Sequence, residues 1–108
     1  MYTDPANGED EARDDSELLA AMANRHRLLI LRLLRDRELS VKELGDRVQL
    51  SQSALSQHLA VLRRFNLVKA RRCGQNMLYG GVKADVEAIL KTLEILKRQT
   101  EGIFRNDV

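Results

Sequence analysis

SVKELGDRVQLSQSALSQHLAVLRRFNLV, residues 40 to 68, reads as two short helical patterns joined by a tight connection. Ser40 and Glu43 have the spacing of a capping box, in which the hydroxyl accepts from the third amide of the helix and the carboxylate reaches back to the first. Ser51 restarts the pattern as a second N-cap. Only Val48, Gln49 and Leu50 lie between, too few for anything but a sharp change of direction. The stretch therefore predicts a helix-turn-helix, whose second helix is the one that enters a DNA major groove.

That second helix, expected from Gln52 to near Phe65, sorts cleanly at about 100° per residue. Leu55, His58, Leu59, Leu62 and Phe65 fall on one side. Ser53, Ser56, Gln57, Ala60 and Arg64 fall on the other, with Gln52 and Arg63 at the margin. An amide, hydroxyls and a methyl group suit base edges: Gln pairs with adenine, Ser donates or accepts, Ala meets a thymine methyl. An ordinary solvated helix face carries the same residue types, so the surrounding charge decides. From Arg47 to Ala84, 38 residues, there is no Asp or Glu, while Arg47, Arg63, Arg64, Lys69, Arg71, Arg72 and Lys83 supply seven positive charges. A surface that faces phosphates has that composition.

Beyond residue 66 the pattern changes period. Asn66 stands where a left-handed residue ends a helix. Leu67 to Cys73 and Met77 to Val82 read as two strands about a Gly74-Gln75-Asn76 turn, a β-hairpin with Arg71, Arg72, Gln75 and Asn76 clustered at its tip. Beside a recognition helix such a hairpin would meet the adjacent minor groove and backbone.

LLAAMANRHRLLILRLL, SVKEL, LSQSALSQHLAVLR and LVKARRCGQNMLY together resemble the ArsR/SmtB family of bacterial winged-helix transcriptional repressors, most closely the NolR-like and BigR-like branch. The resemblance covers roughly residues 16 to 97. It implies a mainly α fold with a small β-hairpin, a winged helix-turn-helix in the order α-α-α-α-β-β-α. It also implies a dimer in which the first and last helices pack across a two-fold axis. Two departures stand out. The turn before the recognition helix commonly holds a Gly where this chain has Gln49, which would then be forced toward positive φ. Gly45 lies instead inside the preceding helix, weakening it by up to ~1 kcal/mol or permitting close packing.

The 108 residues make one domain, and Leu-rich, aromatic-poor composition favours helix-on-helix packing. A core this small is often completed by dimerisation. The net charge of +2 conceals an asymmetry: residues 1 to 22 hold seven acids and one base, residues 23 to 108 nine acids and seventeen bases. A basic domain implies a polyanionic partner, though such patches also bind acidic proteins and anionic membranes. No apolar run of about 18 residues and no signal-peptide pattern occur, so a cytoplasmic protein is expected.

Residues 1–15, acidic and poor in apolar groups, are expected to form a disordered tail, 16–102 the folded domain, and 103–108 a flexible C-terminus. A first helix from Asp15 or Ser16 would present Leu18, Leu19 and Met22 and stop before Asn24, which caps a second, nearly all-apolar helix, Arg25 to about Arg35. The last helix, Ala84 to Gly102, carries Val86, Ile89, Leu90, Leu93 and Leu96 at three- and four-residue spacing. The resemblance makes these two apolar sets, Leu18, Leu19 and Met22 with Val86, Ile89, Leu90, Leu93 and Leu96, the expected dimer interface; an intramolecular cover is the alternative.

The sensor layouts that the resemblance implies do not fit. Where metal-sensing members open the third helix with two Cys, ELSVKEL has Ser40 and Lys42. The last helix has Asp85, Glu87 and Glu94 but no His, since none follows residue 58, which is poor for zinc or copper. Where redox-sensing members carry a Cys in the second helix, this chain has Arg32. No metal or cofactor is expected. Cys73, the single cysteine, excludes an internal disulfide and, between arginines and the wing turn, is a possible redox site. His58 is expected to pack inside, and His26 to be exposed or structural.

These readings converge on a homodimer that regulates transcription, a repressor on an inverted repeat in double-stranded DNA. Ser53, Ser56 and Gln57 would read bases, and Gln52, Arg63, Arg64, Arg71, Arg72, Gln75 and Asn76 would complete the contact, with the effector unassigned. The alternatives are a redox-responsive regulator acting through Cys73 and a winged-helix module for an acidic protein. No nucleophile with a nearby base, paired carboxylates or phosphate-binding glycine loop points to an enzyme.

Overall fold

The computed structural model describes residues 14–106, with side chains to Gly102. The expected tail thus lies outside the described residues up to position 13, as do 107 and 108. The elements follow in the order α1 (Asp15–Met22), α2 (Arg25–Leu34), β1 (Leu39–Ser40), α3 (Val41–Val48), α4 (Gln52–Arg64), β2 (Lys69–Cys73), β3 (Asn76–Gly80) and α5 (Ala84–Asn106). None of these helices is long and apolar enough to cross a membrane.

Each early helix starts at a side-chain cap. Asp14 Oδ1 accepts from Ser16 N at 2.8 Å, and Asn24 Oδ1 accepts from His26 N and Arg27 N at 2.9 and 3.1 Å. The capping box forms as its spacing predicts, Glu43 N donating to Ser40 Oγ at 3.1 Å and Ser40 N to Glu43 Oε1 at 2.9 Å. Gln49 ends α3 in the left-handed region, φ 54° and ψ 47°, a conformation that costs an L residue about 1–2 kcal/mol. Two residues on, Ser51 Oγ accepts from Ala54 N at 3.2 Å and α4 begins.

The end of α4 is a full Schellman motif. Asn66 adopts φ 66°, its N donates to Arg63 O at 3.0 Å, and Leu67 N donates to Leu62 O at 2.8 Å. Leu62 and Leu67, the apolar pair that accompanies this motif, are both fully buried. Leu67 and Val68 therefore belong to the helix stop, and the first wing strand starts at Lys69 instead of Leu67.

The sheet has three strands in the order β1-β3-β2, all antiparallel, one more than the hairpin predicts. Leu39 and Ser40 pair with Tyr79 and Leu78 and tie the wing to the start of α3. In the hairpin, Cys73 pairs with Asn76, so the turn is the two residues Gly74 and Gln75, and Asn76 joins the strand. Positive φ at Gly74 alone (63°) is the pattern of a type II′ turn, which matches the twist of the strands it joins. The second strand stops at Gly80, short of Val82, because Gly81 turns left-handed (φ 61°).

Ile30, Leu31 and Leu34 of α2, Leu44 of α3, Leu55, Leu59 and Leu62 of α4, and Val86 and Leu90 of α5 form one buried core. α2 is central, as its composition predicts, although Leu29 faces out. α5 is bound to α2 by charge as well as packing: Glu94 Oε2 accepts from Arg35 Nη2 at 2.7 Å and from Arg32 Nε at 3.3 Å. The Arg35 hydrogen bond, with Arg32 behind it, holds the Glu94 carboxyl below the ordinary carboxylate range. Beyond Gly102, where the sequence predicts a stop, the helix continues to Asn106, since neither a proline nor a left-handed residue interrupts its hydrogen bonds.

Candidate nucleic-acid interface

Gln52, Ser53, Ser56, Gln57, Ala60, Arg63 and Arg64 are all exposed along α4, on the side opposite Leu55, Leu59 and Leu62. The two-faced pattern is thus realised as drawn from the sequence. The wing tip closes toward the start of this face: Gln75, Asn76 and Met77 share a groove of about 670 Å³ with Gln52 and Ser56 of α4 and Ser40 and Lys42 at the head of α3. Lys42, a cation beside that groove, lies outside the acid-free run, as does Asp46, a carboxylate that lines the groove too.

The two wing arginines do not act together. Successive strand residues point to opposite faces, so Arg72, opposite Met77, lies on the face shared with Leu39 and Tyr79, whereas Arg71, opposite Leu78, lies on the outer face. There Arg71 is already engaged: Nε donates to Glu38 Oε2 at 2.8 Å and Nη2 to Glu38 Oε1 at 2.7 Å. The Arg71 hydrogen bonds hold the Glu38 carboxyl below its ordinary range, and Glu38 holds Arg71 more firmly charged. This corrects the expectation of a wing without acids around it. The run is acid-free along the chain, but β1 carries Glu38 to it in space. Neither arginine sits at the tip, which Gly74 and Gln75 form. Arg72 is exposed and makes no ion pair with any described residue.

The expected interface residues divide. Leu18, Met22, Val86 and Leu90 are buried within the chain itself, and Ile89 is half-buried against the same core. Leu19, Leu93 and Leu96 are 53, 39 and 52 % exposed, with Ile95 beside them. The stripe on α5 therefore serves two surfaces, its first turns the core and its later turns the exterior. Cys73 is exposed near the wing turn. Among the described residues no group of three or more His, Cys, Asp or Glu side chains is placed to hold a metal.

A cluster that periodicity could not show joins α1, α2 and α4. Arg27 Nε donates to Ala21 O at 2.6 Å and Nη2 to Ala20 O at 3.3 Å, satisfying carbonyls at the end of α1, while Nη1 lies 3.3 Å from His58 Nδ1. Arg27 only donates, so Nδ1 is the acceptor and the imidazole proton sits on Nε2. The His26 ring lies 5.7 Å from that of His58, and both histidines are half-buried. Burial first, then the Arg27 charge and His26, lowers the His58 pKa. A histidine with a lowered folded pKa contributes stability that is complete above its unfolded pKa and is lost as pH falls toward the folded value. Between about pH 7 and pH 5 the thermal midpoint is expected to fall less steeply in His58→Gln than in the wild type. Parallel slopes over that interval would remove His58 from the acid response.

A carboxylate-free helix face, a basic wing and a turn of three residues between α3 and α4 define a winged helix-turn-helix. Residues 24–70 match the pattern of the bacterial regulatory protein, arsR family. The transcriptional activator HlyU of Vibrio cholerae is 53 % identical over 79 residues, 73 % of each chain. The nodulation protein NolR of Rhizobium meliloti is 47 % identical over 90 residues, 80 % of this chain and 71 % of that one. The fold agrees: reduced HlyU from Vibrio cholerae superposes with a TM-score of 0.72 at 47 % identity, covering 84 % of this chain and 96 % of that one. The homodimeric winged helix-turn-helix domain of Mb0332 from Mycobacterium bovis superposes at 0.69 and 25 % identity, covering 92 and 90 %. The chain belongs to the ArsR family of bacterial transcriptional regulators, which bind DNA and are not enzymes.

Proposed function

We propose that the protein is a cytoplasmic homodimer that represses transcription by occupying an imperfect inverted repeat in double-stranded DNA. The observation that carries this reading is the carboxylate-free, exposed face of α4 set beside the wing groove. The exposed leucines of α1 and α5 support the dimer, as does the homodimeric state of the Mb0332 domain. A two-fold axis would place two α4 helices in successive major grooves, about 34 Å apart. Ser53, Ser56 and Gln57 read bases, Arg63, Arg64 and Arg72 neutralise phosphates, and Gln52, Gln75 and Asn76 line the approach. Occupancy of a promoter excludes polymerase. HlyU is named an activator, so the sign of regulation follows where the repeat lies relative to the promoter, and repression corresponds to overlap with it.

Incubating the reduced, metal-free protein with fragmented genomic DNA near physiological salt, and sequencing the retained fraction, tests the reading. An enriched inverted repeat supports it. Retention without a common sequence, or none, would turn the interpretation toward a protein partner for the basic face. On the recovered repeat, Gln57→Ala is expected to lose about 1–3 kcal/mol of binding and to relax preference at one base pair per half-site. Equal loss on all sequences would reduce Gln57 to a backbone contact.

A further inference from the structure

Glu38 precedes β1, and continuation of the β1-β3 register sets it against Gly80, which faces Lys69 on its other side. A Cβ on Gly80 would lie 2.9 Å from Glu38 Cγ, closer than real side chains come, so the glycine clears the lane in which Glu38 reaches across β3 to Arg71. Both side chains remain open to solvent, 43 % for Glu38 and 58 % for Arg71. They line a cleft of about 420 Å³ that also contains Lys69 and Arg63, and Arg63 belongs to the exposed face of α4. Three cations and one carboxylate thus share a cleft continuous with the surface proposed to meet DNA.

A guanidinium fork binds a carboxylate and a phosphate in the same bidentate geometry, so Glu38 occupies the donors that a phosphate would take. We propose that Glu38 is a specificity-determining residue, an internal competitor that withholds Arg71 from DNA phosphates while bracing the wing across β3. The inference rests on the DNA-binding reading above. Binding to arbitrary DNA is driven by phosphate neutralisation, and an Arg71 neutralised within the protein adds little to it. Binding to the operator also needs the wing held in place, which the brace supplies. Loss of the carboxylate acts on both terms in one direction: arbitrary DNA gains a cation, and the operator complex loses a support.

The test compares wild type, Glu38→Gln, Arg71→Ala and the double variant on a random-sequence duplex and on the inverted repeat recovered from genomic DNA, over a salt series. Glu38→Gln is expected to bind the random duplex about three- to tenfold more tightly, with the slope of log affinity against log salt steeper by about 0.9, the value for one more phosphate contact. The repeat-to-random affinity ratio is expected to fall, and the substitution should change nothing when Arg71 is already alanine. An unchanged or weakened affinity for the random duplex overturns the inference, as does a gain that persists without Arg71. If the wild type binds the repeat and either overturning result appears, the DNA-binding reading stands and the Glu38 inference falls. If the wild type binds neither DNA, both fall.

Discussion

Leu93→Glu combined with Leu96→Glu is expected to leave each chain folded and to convert the protein to a monomer at micromolar concentration. Affinity for the inverted repeat should fall by about two orders of magnitude or more, because joining two half-site contacts in one molecule multiplies affinity by about 10²–10⁴. The expectation follows from the division of the α5 stripe. Val86 and Leu90 are fully buried in the chain's own core, so the substitutions one and two turns later do not disturb it. Leu93 and Leu96 of α5, and Leu19 of α1, each present apolar surface to solvent that a second copy would cover. Sedimentation measures the assembly and a titration of the repeat measures the consequence. A double variant that still sediments as a dimer would place the interface elsewhere. A monomer with undiminished affinity would mean that one α4 suffices.

How far the sequence leads depends on whether a signal is local. Ser40 with Glu43, Asn24, Ser51 and Asn66 announce helix ends through bonds that span two to five residues, and all four act where their positions predict. Gln49 in a three-residue turn had to bend left-handed for the same reason. β1 escaped because two residues are too few to show alternation, and it brought with it the acid that neutralises Arg71. The difference between Arg71 and Arg72 was legible all along in the period of a strand, since adjacent residues cannot share a face. The roles of Arg27 and His58 could not be read that way. Their contact joins residues 31 apart in sequence, and nothing local marks Arg27 among the five arginines of residues 25 to 37. The α5 leucines illustrate the remaining limit: spacing of three and four identifies a stripe but not where its cover changes from the chain itself to the exterior.

Leu55→Ala is expected to destabilise the folded protein by about 2–5 kcal/mol, the cost of an unfilled cavity where a buried leucine was. Leu55 is 1 % exposed on the inner side of α4, and its Cδ2 lies 3.7 Å from where a Cβ on Gly45 would stand. It is therefore a side chain through which α4 bears on α3, just after the turn that Gln49 strains. Whole domains are stable by only about 5–15 kcal/mol, so the loss is a large share of what holds this one together. The effect should exceed its thermodynamic cost for DNA, since the angle between α3 and α4 sets how the exposed face of α4 meets the groove. Ser53→Ala, two residues away and exposed, is the matched control and should shift stability by no more than about 0.5 kcal/mol. Chemical denaturation of both variants gives the stability terms. Binding of the repeat, measured where Leu55→Ala is still mostly folded, then separates a shifted helix from an unfolded one. A change below about 1 kcal/mol in Leu55→Ala would show that α3 and α4 close over the gap, and that the turn, not this contact, fixes their angle.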